Sequence, residues 1–199
     1  MSEPTNNQEP AQSVIVGKCD DLIFFKFLIA ARDMSGNSDI MDKVFCAKTP
    51  DNTLVLVACD RKRIHLLFNV WSWGFTPNTQ YIATAGEGKV SFVPVPVVER
   101  DYPDCMQLWQ TENAKAQSRF DIVADVPPAS FVSRVAYQLG RIGAPHVAGE
   151  YLVPLAKLKE HIDVCTADES AAFVIFKGET PRLEFAAVIG KSNYSKESE

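Results

Sequence analysis

With 199 residues, 46% of them hydrophobic and 23% charged, the chain carries enough apolar sequence to bury a core of its own. Its formal net charge of −5 argues against a protein that coats nucleic acid through bulk positive charge. No run approaches the ~20 apolar residues that span a bilayer. A basic patch confined to one surface is compatible with all of this, so the distribution of charge matters more than its sum.

Residues 1–12 begin MSEPTNNQEPAQ, polar and acidic, without the basic and apolar regions of a signal peptide, and read as a disordered tail. SVIVGK (Ser13–Lys18) reads as a short strand. Asp20 or Asp21 can then cap a helix from Leu22 to about Arg32, since a carboxylate there accepts the free N–H groups of the first turn. DKVFCAKT and TLVLVACD are two strands joined at Pro50-Asp51-Asn52, where proline sets φ and Asp or Asn tolerates the turn, and RIHLLFNVW continues as a third. TQYIATA and KVSFVPVPVV follow as strands around Gly86-Glu87-Gly88, with Pro94 and Pro96 placing the second at an edge or leaving the sheet.

DYPDCMQLWQ to Ser118 reads as irregular, and FDIVADV as a strand. Pro128 and Ser130 open a helix to about Ile142 with Val132, Val135, Ala136 and Leu139 on one face. EYLVP is expected as a strand, LAKLKEHIDVC as a helix, and AAFVIFKG with RLEFAAVIG as a closing hairpin. Residues 191–199 (KSNYSKESE) read as a second disordered tail. Few short helices among strands that follow one another directly give an α+β fold, mainly antiparallel sheet with two or three short helices. No sequence repeat stands out, only a weak repeat of element order. The expected division is a unit at 13–110 and a second at 111–190.

The five cysteines, Cys19, Cys46, Cys59, Cys105 and Cys165, are scattered and odd in number. They suit reduced thiols, which makes the cytoplasm the expected compartment. Histidines His65, His146 and His161 stand far apart, with no CxxC or HxxxH spacing, so neither a metal nor any other cofactor is expected. Walker A, GxGxxG and GxSxG motifs are missing. One enzyme constellation is available: Cys59 beside basic residues, with His146 or His161 as base. Its plain alternative is that Cys59 is a small apolar strand residue.

Charge layout is more informative. The first helix carries Lys26 and Arg32 and the Ser130–Gly143 helix Arg134 and Arg141, seven apart on one face, with no acid in either; Lys157 and Lys159 mark the third. Such faces suit phosphate contacts that are sequence-independent and salt-sensitive, although solvated helix surface would look the same. Trp71 and Trp73, flanking Ser72, read as core packing, with a partner-binding lip as the alternative.

The densest cationic run, LVLVACDRKRIHLLF, carries a resemblance. VACDRKRIHL resembles the ATDGHRL-like segment of the bacterial β sliding clamp, the ring-shaped processivity factor of replicative DNA polymerase. VVERDYPDCMQLW resembles that family's FPDY-containing segment, and element order follows a clamp from Val14 to Ile189. The chain departs from the family at Arg61 and Lys62, where glycine and histidine are usual, and in length, since 199 residues cannot hold three clamp domains.

The resemblance implies a DNA-clamp-like fold, shortened, in a non-enzymatic DNA replication accessory, of cellular, phage or plasmid origin. It implies a homo-oligomer that meets duplex DNA through Lys26, Arg32, Asn37, Arg134, Arg141, Lys157 and Lys159, without reading sequence. Peptides of DNA polymerase or other replication proteins would be captured by Cys59, Asp60, Arg61, Lys62, Arg63 and Ile64. The alternatives are a clamp-fold protein of a mobile element that binds host proteins, or a Cys-dependent enzyme.

Overall fold

The computed structural model describes residues 11–17, 19–35, 41–95, 104–167 and 171–192. The chain begins with strand β1 (Val14–Val16), helix α1 (Leu22–Ile29) and strands β2 (Val44–Lys48), β3 (Leu54–Cys59) and β4 (Arg63–Phe68). A 3-10 turn (Val70–Trp73) leads to the hairpin of β5 (Thr79–Gly86) and β6 (Lys89–Pro94). Helix α2 (Cys105–Lys115), β7 (Gln117–Val123), α3 (Pro128–Arg141) and α4 (Gly149–Ala156) follow, and β8 (His161–Thr166), β9 (Phe173–Glu179) and β10 (Glu184–Gly190) close the chain.

Ten strands form one antiparallel sheet in the order β1-β6-β5-β2-β3-β4-β10-β9-β8-β7. The order exposes a duplication. β1-α1-β2-β3-β4 and β7-α3-α4-β8-β9-β10 are matching units that meet where β4 pairs with β10. In the first unit the β5–β6 hairpin is inserted between β1 and β2, where β7 and β8 of the second pair directly.

Every residue of β3 is buried, because strand alternation sends its side chains into two different cores. Leu54, Leu56 and Ala58 join the large core with α1, α3 and α4, whereas Val55, Val57 and Cys59 join a smaller one capped by Cys105 and Trp109 of α2. Three helices therefore cover one face and α2 the other.

Several sequence expectations are corrected. Residues 105–115 are helical, not irregular: Asp104 accepts the Gln107 N–H at 2.9 Å, and Cys105 and Trp109, four apart, bury one side. EYLVP lies in α4, because Leu152, Leu155 and Ala156 fall at helical spacing on the core. LAKLKEHIDVC is a helix only to Ala156. Lys159 then takes a left-handed φ of 61°, and from His161 a period-2 alternation with Ile162 and Val164 buried makes β8.

Among the described residues, four α-helices thus stand where two or three are expected. Helix α1 stops at Ile29, and Asp21 at its N-terminus gives it no side-chain cap, bonding Arg182 Nη1 at 3.4 Å instead. The core face of α3 is formed by Phe131, Val135 and Leu139, while Ala136 is exposed. β6 is interior, and Pro94 lies past its short pairing with β1. The boundary expected after residue 110 falls inside α2. Lys191 and Ser192, expected in a tail, donate their N–H groups to the Ala172 and His146 carbonyls. Trp73 packs edge-on against Phe25 at 5.3 Å, whereas Trp71 is exposed and donates to the Asn52 carbonyl.

His65, in the middle of β4, is fully buried, with its ring stacked 4.1 Å from that of Phe27. Its Nδ1 lies 2.7 Å from the Phe27 carbonyl oxygen, which can only accept, so the proton sits on Nδ1; Nε2 has no partner. Burial holds its pKa down to about 3, the Phe27 carbonyl opposing that and the Arg63 charge adding to it. An unfolded histidine binds its proton near pH 6.5, so below that value the unfolded state holds more protons and stability falls with pH. We expect about 2 kcal/mol to be lost between pH 6.5 and 5 at this residue. His65→Leu should flatten that part of a chemical-denaturation profile measured against pH.

Candidate functional site

The cationic run at the β3–β4 connection is a turn built around one carboxylate. Asp60 Oδ1 accepts the backbone N–H groups of Lys62 (2.7 Å) and Arg63 (2.9 Å), and its own N–H bonds the Arg63 carbonyl. Arg63 Nε pairs with Asp60 Oδ2 at 3.0 Å. Its Nη2 donates to the Ala30 carbonyl at the end of α1, and its guanidinium lies 4.8 Å from the Tyr151 ring centroid of α4. The Lys62 carbonyl accepts the Gly190 N–H at 2.8 Å, fastening the turn to the end of β10.

Beside this turn, on the α2 side, lies a cleft of 230 Å³. Cys59, Asp60, Arg61, Lys62, Arg63 and Ile64 all line it, so the six residues singled out in the sequence share one site. Sequence reasoning missed the opposite wall, formed by Met41, Asp104, Cys105, Leu108, Phe173 and Val188. A legible signal was present for α2: Asp104 and Gln107 stand three apart, the spacing of a capping pair. Arg61 and Lys62 are exposed at the lip, and the floor is apolar. No histidine lines the cleft, so the structure does not place His146 or His161 with Cys59 there. His161 lies instead on the larger cleft described below, and His146 in the α3–α4 connection.

The cations expected to meet DNA separate into two kinds. Lys26, Arg134, Arg141, Lys157 and Lys159 are exposed on or beside the three helices that cover one sheet face. Arg134 and Arg141 flank Tyr137, which is 67% exposed and has the Arg141 guanidinium 6.0 Å from its ring, an aromatic that sequence reasoning passed over. Lys157 and Lys159 lie between the starts of α3 and α1, lining clefts shared with Pro127, Pro128, Asp20 and Asp21.

Arg32 differs. Its half-buried guanidinium donates to the carbonyls of Ile29, Asp42 and Ala83, and burial lowers its pKa. It serves as an internal tie between the end of α1 and β5. Asn37 lies outside the described residues.

The opposite sheet face carries, beside the cationic Arg61–Lys62 lip, a second and mainly acidic cleft. A cleft of 630 Å³ beside α2 is lined by Asp51, Asp121, Asp163, Glu179 and Glu184 against Lys177 and His161, over Phe68 and Trp109. Gly178 has no room for a side chain there, since a Cβ would collide with the Phe185 ring and lie 2.7 Å from the His161 carbonyl oxygen. Such a surface repels a polyanion. Among the described residues, no group of three or more His, Cys, Asp or Glu is placed to hold a metal ion, and no helix is long and apolar enough to cross a membrane.

Solved structures with this arrangement exist. The Helicobacter pylori beta clamp in complex with carprofen aligns with a TM-score of 0.56 at 9% identity, over 96% of this chain and 69% of that chain. A putative DNA polymerase III beta subunit from Eubacterium rectale gives 0.55 at 11% identity, over 94% and 66%. The H. pylori beta clamp bound to a DNA ligase peptide gives 0.54 at 10% identity, over 96% and 68%. The chain has the bacterial β-clamp fold.

The chain spans about two thirds of the length of these clamps. No family model and no curated protein matches its sequence. The clamp fold is therefore reached with little of the clamps' own sequence, and the physical demands on the turn can be tested directly. Asp60→Ala removes two backbone acceptors and an ion pair at once, and urea unfolding should show a loss of about 2 kcal/mol. Arg61→Ala, on the exposed lip, should stay within about 0.5 kcal/mol of the parent.

Proposed function

We propose that this chain is a non-enzymatic, sliding-clamp-like accessory of DNA replication. Its helical face rests on duplex DNA without reading sequence, and the Cys59–Ile64 cleft captures short peptides of DNA polymerase or other replication proteins. The observation that carries the reading is a clamp fold whose helical side exposes five of the cations singled out in the sequence. Lys26, Arg134, Arg141, Lys157 and Lys159 are exposed on the helical side, and five carboxylates line the cleft on the opposite side. Phosphates attract such cations through long-range fields and counterion release, which need no base contact.

The cleft adds the second half. It has an apolar floor, a cationic lip and a wall supplied by one helix, a shape that suits a few apolar side chains of an extended peptide. The capture of a DNA ligase peptide by the H. pylori clamp is a property of that protein and supports, by analogy of fold, a peptide role here. Encircling a duplex would need several copies of a single sheet of this size, so the reading includes a homo-oligomer.

Fluorescence anisotropy with a labelled duplex at low salt tests the DNA arm. We expect binding that is equal for unrelated sequences and falls steeply with salt. Arg134→Ala with Arg141→Ala should lower the slope of log K against log salt by roughly 0.9 for each phosphate that is no longer neutralised. Failure to bind at low salt, or binding indifferent to both substitutions, sinks the DNA arm. For the peptide arm, Leu108→Glu should abolish binding of a clamp-binding ligase peptide while leaving DNA affinity unchanged. Light scattering should report a mass that is a multiple of the 22.0 kDa chain.

A further inference from the structure

Two thiols line one cleft from separate elements, β3 and α2. Cys59 and Cys105 both line the 230 Å³ cleft, belong to the same small core, and are 2% and 6% exposed. The other cysteines are placed differently. Cys19 is exposed, Cys46 is buried in the helix-side core, and Cys165 Sγ lies 3.1 Å from the Asp163 carboxylate. Two thiols on separate elements of one small cleft have one chemistry that neither has alone, which is to bond to each other.

We propose that Cys59 and Cys105 are a dithiol that a small anionic disulfide, of the oxidised-glutathione class, closes into an intrachain disulfide stapling α2 to β3. One protein thiolate attacks a reagent sulfur, forms a mixed disulfide and expels one glutathione thiolate. The second protein thiolate attacks the protein-bound sulfur, forms the Cys59–Cys105 bond and expels the other glutathione. The protein loses two electrons and the reagent gains them, while the two thiol protons pass to the departing glutathione thiolates.

The cleft contributes to both stages. Arg61 and Lys62 are exposed at its lip, where they can hold the carboxylates of the incoming reagent. Its proximity to Cys59 and burial both push the Cys105 thiol upward, which makes it a poor nucleophile while seated. Exchange therefore proceeds when the first turn of α2 lifts. A closed disulfide then fixes the cleft wall that α2 supplies. That consequence for peptide capture rests on the function proposed above, whereas the bond itself does not.

The test uses the full chain carrying Cys19→Ser, which removes the exposed thiol, incubated with oxidised glutathione and quenched in acid. Mass spectrometry should show the loss of two hydrogen atoms, and a non-reducing peptide map should show Cys59 linked to Cys105. The thermal midpoint should rise by about 5–10 °C and return on reduction. Cystamine, a cationic disulfide, should react roughly tenfold more slowly, and the double substitution Arg61→Ala and Lys62→Ala should erase that difference.

Cys59→Ser and Cys105→Ser should each abolish the bridge; should either fail to fold, the peptide map of the parent decides alone. The proposal is overturned if both thiols stay free, if glutathione remains as a stable adduct, or if the bridge joins another pair. Peptide binding is not the readout, so failure of peptide capture leaves the disulfide result standing.

Discussion

The pairing of β4 with β10 is the constraint on which the rest depends. Six residue pairs, from Glu184 with Phe68 to Ile189 with Arg63, turn two units into one sheet. A slip of one residue would send every buried side chain of β10 to the wrong face. The register is held from both sides. Toward the helices, Ala58, His65 and Ala187 stand in one cross-strand row, and the two alanines leave space for Phe27 of α1 to lie flat on the imidazole. Toward α2, the next row is Cys59, Ile64 and Val188, all three lining the cleft. The seat of α1 and the site beneath α2 are thus adjacent rungs of one ladder.

The continuous sheet also keeps two surfaces apart. The helical side exposes Lys26, Arg134, Arg141, Lys157 and Lys159, the last two sharing a cleft with Asp20, Asp21 and Glu160, while the other side holds both the carboxylate-lined cleft and the Arg61–Lys62 lip, with a closely packed apolar layer between them. A net charge of −5 is then a poor guide to what either face attracts. Arg32 shows that the cation count alone is a poor guide too. It has the same charge as Arg134, yet it is spent on three carbonyl groups inside the fold.

What is legible in the sequence follows from the range of the forces involved. β2, β3 and β4 can be read because their turns are local, set by Pro50-Asp51-Asn52 and by Asp60. Segments whose state depends on distant packing mislead. Glu150–Pro154 has strand-like residues but is held as helix by the core contacts of Leu152, Leu155 and Ala156. His161–Thr166 reads as part of the preceding helix because the left-handed Lys159 that separates them has no sequence signature. The site is half legible for the same reason. Residues 59–64 are contiguous and carry the resemblance, whereas Cys105 and Leu108 reach the cleft only because α2 folds back across the sheet. The destination of Arg32 is equally hidden, since Ala83 is far along the chain.

The turn at Asp60 resolves the oddity of a strand interrupted by positive charge. Its three cations do three different things because one carboxylate fixes the backbone between them. Arg63, the last, is drawn inward to Asp60, the Ala30 carbonyl and Tyr151, and so ties the turn to α1 and α4. Lys62 holds Gly190 through its carbonyl while its side chain stays exposed. Arg61 has no structural bond of this kind among the described residues and stands at the lip of the cleft. A turn that needed only to reverse the chain could be built from Asp60 and a glycine. Two exposed cations beside Cys59 and Cys105 are something chain reversal does not require, and they put positive charge at the lip of a cleft whose floor is apolar.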